Sequence, residues 1–189
     1  AAPPEFSNSM GAPLIEGLVF VHNSLVGCGL RDKIKVACAG KVTSAAHIIR
    51  NLAIGADWCC AARGFMMAVG CIQAQKCHTN TCPVGVATQE PSRFHVLNVP
   101  NKAERVFQFH SNTMESFNEL IAAMGLNGPE ELKPYHVSMR TEPNKVMTYQ
   151  LAYRFLKPGD LLDGSSHHPL LDKAWAIASP DTFAPVGMG

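Results

Sequence analysis

The sequence predicts an α/β fold. Two short β-prone runs, Ile34–Ala39 and Asp57–Ala62, are separated by one helical pattern, and further helical patterns lie before the first and after the second. The second run is apolar almost throughout rather than alternating, which suits a parallel strand covered on both faces. A strand, a crossover helix and a strand make the βαβ unit, right-handed by strong default. Two strands alone close no barrel and make no stable open sheet. If the fold is a barrel, more strands must come from chain ahead of Ala1. The first eight residues, AAPPEFSN, read as a loop entered partway and fit a fragment of a longer protein better than a processed terminus.

Taken in order, Pro13–Leu30 reads as a helix. Leu14, Leu18, Val21 and Leu25 recur on one stripe, Pro13 suits the first helical position, and Gly27 and Gly29 end the pattern. Gly40-Lys41 breaks the first strand. Thr43 or Ser44 can cap the crossover helix, whose apolar face is Ile48, Ile49 and Leu52 and whose stop is Gly55. Arg63-Gly64 breaks the second strand, and Phe65–Val69 reads as a short helix. A cysteine-rich loop follows, then an irregular stretch over Pro91–Pro100. Lys102–Met124 is the longest helical pattern, with Val106, Phe109, Phe117, Leu120 and Ile121 on one side. Pro129–Leu132 suits a helical turn with Pro first and acids near its positive end. Thr148–Phe155 can form a short helix or strand. Trp58 and Trp175 read as packing residues.

Composition narrows the function. The chain has 189 residues, 47% hydrophobic and 16% charged, so it carries enough apolar surface to offset ordering entropy. Sixteen Lys+Arg against fifteen Asp+Glu leave a net charge of +1, which disfavours a nucleic-acid partner. The longest apolar stretches, near Gly17–Leu30 and Gly64–Gln75, are interrupted by His, Asn or Gln, which disfavours a membrane span. No export signal is visible at the start, and seven cysteines, an odd number, fit reduced thiols in a cytoplasmic protein better than a disulfide scaffold.

Four cysteines, Cys28, Cys38, Cys59 and Cys60, suit small buried hydrophobes. Cys71, Cys77 and Cys82 differ. They are spaced C-x5-C-x4-C, with Asn, Thr and Pro near the last two, as in a loop wrapped around something. Structural zinc prefers closer pairs and four ligands. Three thiols without a fourth suit a 3Fe–4S cluster, one thiolate per iron, and Pro83 echoes the Cys-Pro ending of some ferredoxin runs. Cluster, zinc and inert thiols all stay open on spacing alone. The pair His167-His168, set among Ser165, Ser166 and Pro169, suits a solvated turn better than a metal site.

The stretch CHTNTCPVGVATQ, with Cys71 six residues before Cys77, resembles the iron–sulfur loop of the glutamate synthase large-subunit family. GAPLIEGLVFVHNSLVGCGLRDKIKVACAGK resembles the last third of that family's FMN-binding barrel, and AAP at the start resembles the end of its Gly-rich GGTGAAP loop. The likeness covers most of the chain, is strongest over residues 1–140, and is nearest to the shorter FMN-binding glutamate synthase family proteins. It implies the C-terminal portion of a (β/α)8 TIM barrel over residues 1–70, with 34–39 and 58–62 as strands seven and eight. It further implies an iron–sulfur loop over 71–100 and a helical C-terminal extension over 101–189. It implies FMN held at Gly40, Lys41, Ser44, Arg63 and Gly64, at the loops where barrels often bind phosphate, and a 3Fe–4S cluster held by Cys71, Cys77 and Cys82, tuned by backbone amides of Thr79–Thr81. Where the family has a Thr-Gly pair, this chain has Thr43-Ser44-Ala45, and Ser44 narrows the space a glycine would leave.

The activity so implied is that of an oxidoreductase acting on CH-NH2 donors. Electrons pass through the cluster and FMN to a 2-iminoglutarate, formed from the small-molecule substrates 2-oxoglutarate and ammonia, and give glutamate. The implied partners are the missing N-terminal barrel portion and either ferredoxin or an NAD(P)H reductase subunit; the fragment alone would be inactive, and its catalytic residues would lie upstream. The alternative reading is a non-catalytic truncated module, with zinc-bound or free cysteines, that docks to a partner.

Overall fold

The computed structural model describes residues 3–183. Its elements run in the order α1 (Pro4–Ser9), α2 (Leu14–Gly27), β1 (Ala37–Ala39), α3 (Ala45–Ala53), β2 (Trp58–Cys60), α4 (Ala62–Val69), α5 (Pro91–Phe94), α6 (Val99–Ala123), β3 (Ser138–Glu142), β4 (Lys145–Thr148), α7 (Tyr149–Ala152) and α8 (Pro169–Ile177). The fold is mixed α/β. β1 and β2 form one two-stranded sheet and β3 and β4 another. No helix of the described residues is long and apolar enough to cross a membrane.

The chain divides into two units. One holds the described residues of 1–14, 39–49 and 59–131. In it α4 packs along α6, with Phe65 edge-on to Phe109 at 5.2 Å between centroids. Asn98 caps α6 by accepting from the Asn101 N–H at 3.0 Å, so the helix starts three residues before the expected Lys102, with Pro100 in its first turn. The stretch expected to be irregular also contains α5, again with Pro in its opening turn.

The other unit holds the described residues of 15–38, 50–58 and 132–183. Asn23 is fully buried. Its amide donates to the Arg154 carbonyl at 2.7 Å and its Oδ1 accepts from the Leu156 N–H at 3.0 Å. Leu156, Leu161 and Leu171 form the adjoining apolar cluster, with Val26 and Cys28 against it. Arg31 donates to Asp57 Oδ2 at 2.8 Å, to the Gly55 carbonyl at 3.0 Å and to His22 Nδ1 at 3.2 Å. Burial raises the Asp57 carboxyl, but the Val36 N–H, Arg31 and Lys35 outweigh it and hold the group below its ordinary range. His22 is lowered by burial and then by the Arg31 charge.

Several sequence expectations change. The opening is not all loop: Pro4–Ser9 is a helical turn and a half with Pro at its start and Glu5 in its first turn, where both suit the helix's positive end. The likeness of AAP to a Gly-rich loop falls partly on Ala1 and Ala2, outside the described residues. The buried side of α2 is Leu18, Val19, Asn23 and Gly27, while Val21 is 44% exposed; a buried polar residue shifted the face that apolar periodicity alone had indicated. β2 ends at Cys60, ahead of the expected break at Arg63-Gly64, which lies in the first turn of α4. β2 is not covered on both faces, and Trp58 and Trp175 are 49% and 44% exposed rather than packed away. The C-terminal stretch, expected to be helical, also carries the antiparallel hairpin β3–β4, with Ser138 opposite Thr148 and a register shift between Arg140 and Glu142.

Candidate functional site

Residues 71–90 contain no helix or strand. Gln73, Gln75 and Asn80 all have positive φ, at 57°, 55° and 61°. Non-glycine residues in this region cost on the order of 1 kcal/mol each, so the loop is bent against its own preference. Polar bonds hold it. The Asn80 carbonyl accepts from Thr88 Oγ1 at 2.6 Å, and its side-chain Oδ1 accepts from the Gln89 N–H at 2.6 Å. Gly85 has φ +77°, and a Cβ there would strike the Arg93 carbonyl and the Phe94 backbone, so this turn admits only glycine.

This folding brings Cys71, Cys77 and Cys82 to one small hollow, lined also by Met66, Val84 and Val86. The three sulfurs differ in surroundings. Cys82 is 7% exposed, and burial alone would raise its thiol, yet the backbone N–H groups of Ala87, Val84, Val86 and Gly85 lower it overall. Amides converging on one sulfur stabilise the thiolate. Cys71 accepts from the Gln73 N–H at 3.3 Å. The Thr79 N–H bonds the Lys76 carbonyl at 3.2 Å, and the Thr79 hydroxyl bonds the same carbonyl and the Thr81 hydroxyl. The sulfur-facing amides come from residues 84–87, a stretch whose one sequence signal is the glycine after Cys-Pro.

Among the described residues, no three His, Cys, Asp or Glu side chains converge closely enough to hold a metal ion. A mononuclear ion draws its ligands to a point at about 2.3 Å from each sulfur. A cluster that takes one thiolate per iron separates its sulfurs around a void. The three thiols share one hollow, as a donor set of one thiolate per iron requires. His168 Nδ1 accepts from the Leu171 N–H at 3.3 Å and caps α8.

A second hollow, of about 180 Å³, shares Met66, Cys71, Gln75 and Cys77 with the first and adds Ser7, Asn8, Arg63, Met67, Gln73 and His78. Arg63 Nη2 donates to Ser7 Oγ at 2.9 Å. Of the five residues expected at a flavin, only Arg63 lines either hollow. Gly64 is buried, and a Cβ on it would touch Phe109 at 3.0 Å and stand 3.6 Å from the Val42 carbonyl. Gly40 has φ +154° and faces Leu14; Lys41 is exposed at φ +51°. Ser44 precedes α3 and its hydroxyl accepts from the His47 N–H at 3.4 Å. Neither Lys41 nor Arg63 has a carboxylate partner among the described residues, and no side chain caps α4. An uncapped helix start with an unpaired cation suits an anion.

The model of a conserved region in glutamate synthase matches residues 1–127. A glutamate synthase large subunit-like protein of Bacillus subtilis, YerD, is 38% identical over 143 residues, which are 76% of this chain and 27% of that protein. An archaeal glutamate synthase (NADPH) of Archaeoglobus fulgidus is 30% identical over 140 residues, 74% of this chain and 27% of the relative. A ferredoxin-dependent glutamate synthase of Antithamnion sp. is 35% identical over 133 residues, 70% of this chain and 8% of the relative. The chain therefore spans 27% or less of the length of these relatives.

Proposed function

Because the chain belongs to the glutamate synthase family, we propose that it forms the electron-carrying end of a flavin-dependent glutamate synthase, with a 3Fe–4S cluster on Cys71, Cys77 and Cys82. The observation that carries this reading is the shared hollow of the three thiols together with the four amides that favour thiolate at Cys82. When bound, the cluster supplies one-electron transfer and FMN supplies hydride chemistry. The chain's own residues position and tune. Amides 84–87 lower the Cys82 thiol toward thiolate, and the bent backbone at Gln73, Gln75 and Asn80 fixes where the sulfurs sit. Met66 and Met67 line the larger hollow with apolar surface.

In this proposal residues 1–70 are the last part of a (β/α)8 barrel, 71–100 the cluster loop and 101–189 an extension. The exposure of Trp58 on β2 supports a sheet that continues in further strands. The flavin phosphate is proposed near Gly40, Lys41, Ser44, Arg63 and Gly64, supported by the uncapped start of α4 and by the unpaired cations Lys41 and Arg63. The reaction is reduction of the imine of 2-oxoglutarate and ammonia to glutamate, in the cytoplasm. The electron donor is ferredoxin or a pyridine-nucleotide reductase; the names of relatives record ferredoxin and NADPH.

Anaerobic purification of the intact protein, with iron and sulfide analysis and EPR of the oxidised form, tests the reading. Each of Cys71→Ser, Cys77→Ser and Cys82→Ser is expected to abolish the signal and most bound iron, while Cys60→Ser leaves both. Stoichiometric zinc without sulfide, or a colourless protein without either metal, overturns it.

A further inference from the structure

Lys102 occupies a place that its own helix does not favour. It lies in the first turns of α6, at the positive end, and no acid accompanies it in the opening turn. No carboxylate among the described residues pairs with it. Its Nζ stands 3.2 Å from the point where a Cβ on Gly70 would be, and Nη1 of Arg105 comes within 3.8 Å of the same point. Gly70 is the stop of α4. At φ +115° its N–H bonds the Met66 and Met67 carbonyls, and the next N–H, that of Cys71, bonds Met66 as well, the paired closure of a left-handed helix end. α4 has no basic residue in its own last turn. Two cations from α6 therefore stand at the negative end of α4, one residue before the first cysteine of the loop.

We propose that Lys102, assisted by Arg105, sets the reduction potential of the centre held by Cys71, Cys77 and Cys82; the inference rests on the cluster reading above. One-electron reduction adds one unit of negative charge to the centre. A fixed cation nearby stabilises the reduced form more than the oxidised form and raises the potential. Lys102 is a positioning residue in this scheme: it touches no substrate and acts through the field it places at Gly70 and Cys71. A role confined to closing α4 would change stability and leave the potential where it was.

The test is a redox titration of the intact protein, with dithionite supplying the electron and EPR following the oxidised centre. Lys102→Met is expected to shift the ratio of oxidised to reduced centre about tenfold toward oxidised at a fixed potential, or about 59 mV for one electron. Lys102→Arg keeps the wild-type value, Arg105→Met shifts it in the same direction by less, and Lys145→Met, on the hairpin, leaves it unmoved. An intact signal with an unmoved midpoint in Lys102→Met, or an equal shift in Lys145→Met, overturns the inference and leaves the cluster reading standing. Absence of any signal in the wild-type protein overturns both. Should Lys102→Met not fold, Arg105→Met decides: a lowered midpoint supports the inference and an unmoved one overturns it.

Discussion

The cysteine loop and the Asn23 clamp solve the same problem, holding irregular backbone in place, in opposite ways. Around Asn23 the chain buries its own material: one fully buried amide satisfies Arg154 and Leu156, and three leucines pack beside it. In the loop, only Cys82 and Gly85 of residues 71–90 are buried. The backbone there is bent at Gln73, Gln75 and Asn80 and fastened by Asn80 and Thr88. The clamp is complete as it stands. The loop spends conformational strain to arrange sulfurs and amides around a void, which is how a site organised for a bound group differs from a core.

Breaking the clamp should have the largest effect. Asn23→Ala strands the buried Leu156 N–H and the part-buried Arg154 carbonyl, at about 1–3 kcal/mol for a buried group, so stability is expected to fall by about 2–4 kcal/mol in urea unfolding. A loss below about 0.5 kcal/mol would mean that water takes over both bonds.

Acid should act next, and on the same unit. The folded-state pKa of His22 is lowered, so between that value and about 6.5 the unfolded chain holds the extra proton. Stability is therefore full above about 6.5 and declines as pH falls toward the folded value. Asp57 is also depressed. Its contribution is full above about 3.9 and is lost as pH falls through its lower folded value. Thermal melts across pH are expected to show both declines, with the upper one absent in His22→Gln. An unchanged upper decline in that variant assigns it to another group.

The smallest effect on stability belongs to the loop. Asn80→Ala removes the bonds to Gln89 and to the Thr88 hydroxyl at the side chain, yet global unfolding is expected to change by less than about 1 kcal/mol, because such a loop opens locally. Iron release to a chelator should instead become several-fold faster. If stability and iron release change in the reverse order, the loop is part of the core and the contrast fails.

Much of this was readable along the chain. The helix over Leu14–Gly27, the crossover helix before Gly55 and the long helix ending near Gly125 follow from apolar spacing and stop residues, which act within a few positions. The hairpin β3–β4 was missed because its strands, SMRTE and KVMT, are mostly exposed and lack a strong apolar alternation. The inward face of α2 was misjudged because Asn23 is drawn inside by carbonyl and amide groups more than 130 positions away.

The sequence by itself determined the three-thiol spacing, the glycine that lets the loop turn at position 85 and the alternation of strands with helices, since each depends on covalent reach or local backbone preference. Tertiary structure alone decided which sulfur receives the amides, that Lys102 stands over Gly70, and that Arg63 joins the cysteines at the larger hollow while Gly40, Lys41 and Ser44 do not. Those outcomes come from side chains meeting across distant parts of the chain. Charge and hydrogen bonding act through space, and spacing along a chain does not record where its distant parts meet.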